Sequence, residues 1–220
     1  WSIPVPQVFP RSANTLARLS IIGGVLFVGT FAVAAFAFYR SPYVTQVNFA
    51  KEQPVPFSHK HHVEGLGMDC RFCHTSVEKS SFAGIPSTAT CMKCHNVIWK
   101  ESPALEPVRE SWRTGKPLNW QRVHDLPDHV YFNHSIHIAK GVSCTECHGQ
   151  VNEMPLMYKK NTLHMEWCLQ CHRHPETRLS PKEEAVNPHW EKPDNIKEMQ
   201  KDLMTKYNVR TVQNCSACHR

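Results

Sequence analysis

The chain has 220 residues, of which 16 are Pro and 15 are His, with 41% hydrophobic residues and a formal net charge of +6. That length allows one ordinary domain or two small ones. The composition excludes an ordinary large apolar core, because much of the apolar content sits in one N-terminal run.

That run is the first predicted element. Residues 19–39 read LSIIGGVLFVGTFAVAAFAFY, 21 positions without a charge, which matches the length a helix needs to cross a hydrocarbon core of roughly 30 Å. Ala32-Val33-Ala34 and Ala35-Phe36-Ala37 look like signal cleavage sites, but the run exceeds the roughly 7–15 residues of a signal h-region. We expect a single transmembrane helix over 19–39. Arg11 and Arg18 favour a cytoplasmic segment over 1–18, and Arg40 on the other side weakens that bias. Tyr39 and Tyr43 stand where an interfacial aromatic belt belongs. Residues 40–220 are then expected on the periplasmic side.

Beyond the helix, the chemistry is repetitive. FSHKHH at 57–62 precedes CRFCH at 70–74 and CMKCH at 91–95. FNHSIH at 132–137 precedes CTECH at 144–148 and CLQCH at 168–172, and CSACH closes the series at 215–219. Matching features are offset by 75 residues (57/132, 59/134, 62/137), by 74 (70/144) and by 77 (91/168). The shared template is F-x-H-x-x-H followed by two C-x-x-C-H, which divides the region into two-motif units at about 51–100 and 126–176 and a terminal motif at 215–219. Repeats of this kind set the architecture before any single element does.

All ten cysteines fall in this one motif. An oxidising compartment would otherwise turn them into disulfides. Zinc ribbons pair C-x-x-C units without requiring a histidine after each, and a thioredoxin motif occurs once in a βαβ setting. Five such histidines by chance have odds on the order of one in a million at this His content, so C-x-x-C-H is read as haem attachment. Cys70, Cys73, Cys91, Cys94, Cys144, Cys147, Cys168, Cys171, Cys215 and Cys218 form thioethers to five covalently bound haem c groups. His74, His95, His148, His172 and His219 are the proximal iron ligands. Ten haem propionates offset the formal positive charge, so the pI signals no nucleic-acid partner.

Residues 41–220 supply 36 residues per haem, too few for a conventional core around each. The expected fold is mainly α with extensive coil: one transmembrane helix and a compact multihaem cytochrome c domain. Prolines at 103, 107, 117 and 127 break up the connector between the units. A helix is expected after Pro193, with Ile196, Met199, Met204 and Tyr207 as packing positions.

A haem that only carries electrons gains from a second strong axial ligand. The duplicated motif selects His59, His62, His134 and His137 as distal ligands, since clustered metal-type residues mark sites. For the fifth, His124 is the first choice, with Met165, Met154 and His164 as competitors. His61, His129, His174 and His189 read as bystanders. Filled axial positions argue against a catalytic haem, and no C-x-x-C-K variant is present.

The F-x-H-x-x-H…C-x-x-C-H units resemble small cytochromes of the c7/c3 class. In that group the first His of a pair serves the following motif and the second serves a neighbour. The resemblance assigns His59 to the Cys70/Cys73 haem and His134 to the Cys144/Cys147 haem, with His62 and His137 reaching other haems. PVPFSHKHH, GIPSTATCMKCH, LPDHVYFNHSIH, GVSCTECHGQV and MEWCLQCHR follow in that order behind one anchor. In this they are similar to the membrane-anchored pentahaem cytochrome c of bacterial alternative complex III. The resemblance implies an electron-transfer component, without a catalytic site of its own, in the bacterial inner membrane. It also implies partners: an iron–sulfur protein, polytopic quinol-binding subunits, and a monohaem cytochrome or oxidase. One His/Met haem is a further implication. The alternatives are a self-sufficient anchored quinol dehydrogenase, disfavoured by the roughly 30 residues between Tyr39 and Cys70, and a haem enzyme with an open iron.

Overall fold

The computed structural model describes residues 8–219, so residues 1–7 of the expected cytoplasmic segment lie outside the described residues. The chain divides into two units, 1–46 and 47–220. In the first, α1 runs over Ala13–Arg40. Its apolar stretch has a mean hydropathy of 2.3. It is the one helix among the described residues long and apolar enough to cross a membrane. The helix begins six residues before the expected 19, because Ala13 to Arg18 contain no breaker and Pro10 lies outside it. Its end is dictated by Pro42. The residue before a proline is pushed out of the helical region, and Ser41 adopts φ −66°, ψ 156°. Pro42 then opens a single turn, α2, over Pro42–Thr45.

The second unit is mainly helical with extensive coil, and its described residues contain no strand beyond isolated bridges. Its helices are α3 (Cys70–Cys73), α4 (Thr88–His95), α5 (Glu106–Thr114), α6 (His134–Ala139), α7 (Cys144–His148), α8 (Met165–Arg173), α9 (Ile196–Lys206) and α10 (Cys215–Cys218). A wide π-helical turn covers Lys60–Gly65, an element often found at functional sites.

The polypeptide's own core is small. Leu179, Leu203 and Tyr207 form its centre, with Val142, Met199, Met204 and Val209 packed around them. Met199, Leu203 and Tyr207 are spaced by four and so lie along one face of α9. Of the expected packing positions, Met199, Met204 and Tyr207 join this cluster, and Leu203, four residues before Tyr207, completes the stripe. Gly141 makes the close approach the cluster needs. At φ +78° it lets its carbonyl accept from Ser180 N at 2.8 Å and Ser180 Oγ at 3.0 Å. The Pro-broken connector is pinned at its far end: Gln53 exchanges two hydrogen bonds with the Gln121 backbone, and Lys51 Nζ donates to Arg122 O at 2.9 Å.

Candidate functional site

Each C-x-x-C-H segment is helical at its cysteines, which places residues i and i+3 on one face. Three of the helices, α3, α7 and α10, begin at the first cysteine itself. For α3 and α7 the start follows from the preceding residue: Asp69 accepts from Arg71 N at 2.8 Å, and Ser143 Oγ accepts from Thr145 N. Helices α4 and α8 carry their cysteines at their C-terminal ends instead. None of the ten cysteines is in a disulfide.

The two F-x-H-x-x-H segments adopt one geometry on two kinds of helix. Phe57 meets His59 edge-on (5.0 Å, 88°) and stacks on His62 (4.4 Å, 25°). Phe132 meets His134 edge-on (4.8 Å, 90°) and stacks on His137 (4.7 Å, 22°). The phenylalanine therefore aims the two imidazoles in different directions from one turn.

Three of these imidazoles face a C-x-x-C-H histidine at nearly one distance. Ring centroids are 6.2 Å apart for His62 and His95, 6.3 Å for His134 and His148, and 6.2 Å for His137 and His172. Two imidazoles bonded to one metal from opposite sides, at about 2 Å each, hold their centroids about 6 Å apart. His59 lies close enough to His74 to feel its charge. His59 Nδ1 is buried without a hydrogen-bond partner among the described residues, an unmet polar atom of the kind that marks an interior built around a further group.

The second ring nitrogens decide which end of each imidazole is available. Nδ1 of His62, His74, His95, His134, His137 and His172 lies 2.6–3.1 Å from a backbone carbonyl, those of Ser58, Gly84, Ile98, Ser81, Asn133 and Val212 in turn. A carbonyl can only accept, so Nδ1 carries the proton and Nε2 keeps its lone pair. This is the outer-shell arrangement that orients metal-ligating histidines. Burial pushes His59 down to about 4 and His148 to about 3, and it lowers His62 and His137; neighbouring imidazoles lower all four further. Neutral imidazole is the metal-binding form.

The donor set also discriminates between metals. Among the described residues, no three His, Cys, Asp or Glu converge on one position. Zinc asks for four ligands in a tetrahedron, whereas iron in a macrocycle needs only two axial ones. Paired imidazoles beside twin cysteines fit haem c.

The remaining candidates sit differently. His124, expected as a distal ligand, has its Nε2 3.3 Å from His148 Nδ1, with ring centroids 4.3 Å apart. Met154 is buried, and its carbonyl accepts from Lys60 N. Met165 is 62% exposed, and His164 stands at the position just before α8. His129, read from the sequence as a bystander, lies beside His219, with centroids 5.6 Å apart and planes at 21°. Backbone pairing of Val130 with His219, and Tyr131 N donating to Cys218 O at 2.7 Å, hold it there. A lone histidine 86 residues from its partner motif carries no sequence signal. His61 faces Trp99, His174 faces Glu176 and His189 faces Glu64.

Twin cysteines on short helices, each followed by an imidazole, define a class: c-type cytochromes that carry several haems. Comparison with known proteins agrees. Residues 37–117 match the Class III cytochrome C family, and residues 130–220 match cytochrome c7 and related cytochrome c. The chain is 34% identical over 185 residues, 72% of this chain and 86% of the other, to the multihaem cytochrome c subunit of menaquinone reductase from Nitratidesulfovibrio vulgaris. The chain belongs to the multihaem cytochromes c, and its cofactor is covalently bound haem c.

Proposed function

We propose that this chain is the membrane-anchored pentahaem electron-transfer subunit of a quinone-linked respiratory complex of the alternative complex III type. Residues 1–18 lie in the cytoplasm, 19–39 span the inner membrane and 40–220 form the periplasmic haem domain. The dihaem units are at about 51–100 and 126–176, followed by the terminal haem at 215–219. The proximal ligands are His74, His95, His148, His172 and His219. The distal ligands are His59, His62, His134 and His137, with His129, whose ring lies 5.6 Å from that of His219, as the imidazole for the terminal site. Haem bound at these positions supplies a one-electron iron couple whose potential the axial ligands set.

The observation that carries this reading is that the sites form one continuous series. His59 and His62 lie on one turn, where His62 faces His95 and His59 lies close enough to His74 to feel its charge. The loop after the first motif takes Nδ1–H of both His74 (at Gly84 O) and His134 (at Ser81 O). Helix α6 carries His134 and His137 toward His148 and His172. Val212 O, three residues before Cys215, takes the Nδ1–H of His172. The spatial order is therefore 91–95, 70–74, 144–148, 168–172, 215–219, which differs from the order along the chain. What the chain's residues do throughout is hold imidazoles aimed and close together.

The menaquinone reductase relative favours a second reading, in which the same wire delivers electrons to quinone rather than drawing them from quinol. Purification from membranes in mild detergent tests the proposal. Five covalent haems by mass, with an iron–sulfur protein and polytopic subunits co-purifying, are expected. A chain that purifies alone and oxidises quinol unaided would replace it with the self-sufficient dehydrogenase. The net direction of quinone turnover by the intact complex separates the two complex-bound readings.

A further inference from the structure

We propose that His124 is not an iron ligand but a positioning residue, which accepts the Nδ1–H of His148 and thereby sets the donor strength of that ligand at the central haem of the series. This rests on the reading above that His148 binds iron through Nε2.

The geometry separates the two faces of His148. On one side stands His134, at 6.3 Å between centroids with planes 7° apart. On the other stands His124, at 4.3 Å and 72°, with its Nε2 3.3 Å from His148 Nδ1. The first spacing admits a metal between two imidazoles, about 6 Å between rings. The second leaves room only for a hydrogen bond. His124 accepts through Nε2, so its own proton resides on Nδ1.

Six other imidazoles at these sites donate Nδ1–H to a backbone carbonyl. Only His148 uses a side chain for this among the ring contacts described. A carbonyl partner cannot be exchanged by mutation, but a side-chain partner can, so this is the site where evolution or an experimenter can adjust the outer shell. Drawing on the Nδ1 proton makes an imidazole a stronger donor and favours oxidised iron. The connector segment has a purpose in this light. The Gln53–Gln121 pair and the Lys51–Arg122 bond fix residues 121–122, and with them the approach of His124.

The test uses the full chain, haem-loaded and in detergent, with redox titration and low-temperature EPR. In His124→Phe, which keeps the ring bulk and removes the acceptor, all haems stay attached and low-spin, and one midpoint potential rises. In His124→Gln, whose amide oxygen reaches a similar place, the wild-type potential returns. If the phenylalanine variant does not accumulate, His124→Asn, whose amide falls short, replaces it with the same expectation. Two results overturn the proposal: a haem turned high-spin in both the Phe and Gln variants, which makes His124 a ligand, or potentials unchanged in the Phe or Asn variant. His148→Ala is read separately. If it leaves every haem attached and low-spin, the assignment of His148 as a ligand fails, whatever His124 does.

Discussion

The partner on one nitrogen of a histidine decides what the other nitrogen can do. Six imidazoles here give Nδ1–H to carbonyl oxygens and so present Nε2 as a lone pair. His134 is the cleanest case, with its Nδ1 2.7 Å from Ser81 O and its ring 6.3 Å from His148. His134→Ala is expected to leave the covalent haem count unchanged and turn one low-spin haem high-spin in the EPR spectrum; an intact low-spin signal would refute its role as a ligand. His129→Ala is expected to do the same at the terminal haem. A spectrum indifferent to His129 returns that position to Met165, Met154 or His164. The paired imidazoles of the repeat, His59 with His62 and His134 with His137, were legible in the sequence because a duplicated pattern distinguishes them from solvated ones. The placements of His124 beside His148 and of His129 beside His219 were not, since each joins residues that only folding brings near.

At the scale of elements, local spacing did most of the work. F-x-H-x-x-H produces the same edge-on and stacked ring pair on the wide turn Lys60–Gly65 and on α6. The three-residue step between the histidines therefore matters more than the exact helical type. The α9 helix was also legible from its apolar spacing, and Leu203 shows where a pattern reading under-counts. Gly141 was not legible, because the need for it arises from packing. A Cβ there would clash with Ser180 O and meet Tyr207 Cε2 at 2.9 Å, at a backbone φ of +78°. Gly141→Ala should cost roughly 1–3 kcal/mol from the left-handed conformation alone, and more from the clash with a backbone oxygen. Gly149→Ala, also at positive φ, would meet only the flexible Lys160 side chain at 2.9 Å. Thermal denaturation of the holoprotein should show the larger drop in apparent Tm for Gly141→Ala, at about 2–4 °C per kcal/mol for a chain of this size. Equal drops would place the cost in backbone strain alone.

For the whole molecule, the consequence lies in the order of sites. Because 91–95 stands at one end of the series and 70–74 is internal, the two motifs of the first repeat are unequal despite their similar sequences. Removing the end site with Cys91→Ala and Cys94→Ala should leave electron equilibration among the other four haems at its native rate. Removing the internal site with Cys70→Ala and Cys73→Ala should isolate the 91–95 haem and slow its equilibration with the rest. Rapid photoreduction with time-resolved absorbance reads both, and an equal effect of the two double variants would overturn the order.

By itself, the sequence determined the class of cofactor, the five C-x-x-C-H motifs and their repeat, the helical character and the apolar N-terminal helix. Each of these depends on residues within a few positions of one another, where covalent spacing fixes geometry. The tertiary structure decided which imidazole faces which, that His124 stands behind His148, that His129 reaches His219, and the order of the sites in space. Those relations join residues tens of positions apart through a loop carbonyl, a pinned connector or a backbone bridge, and no local spacing specifies them.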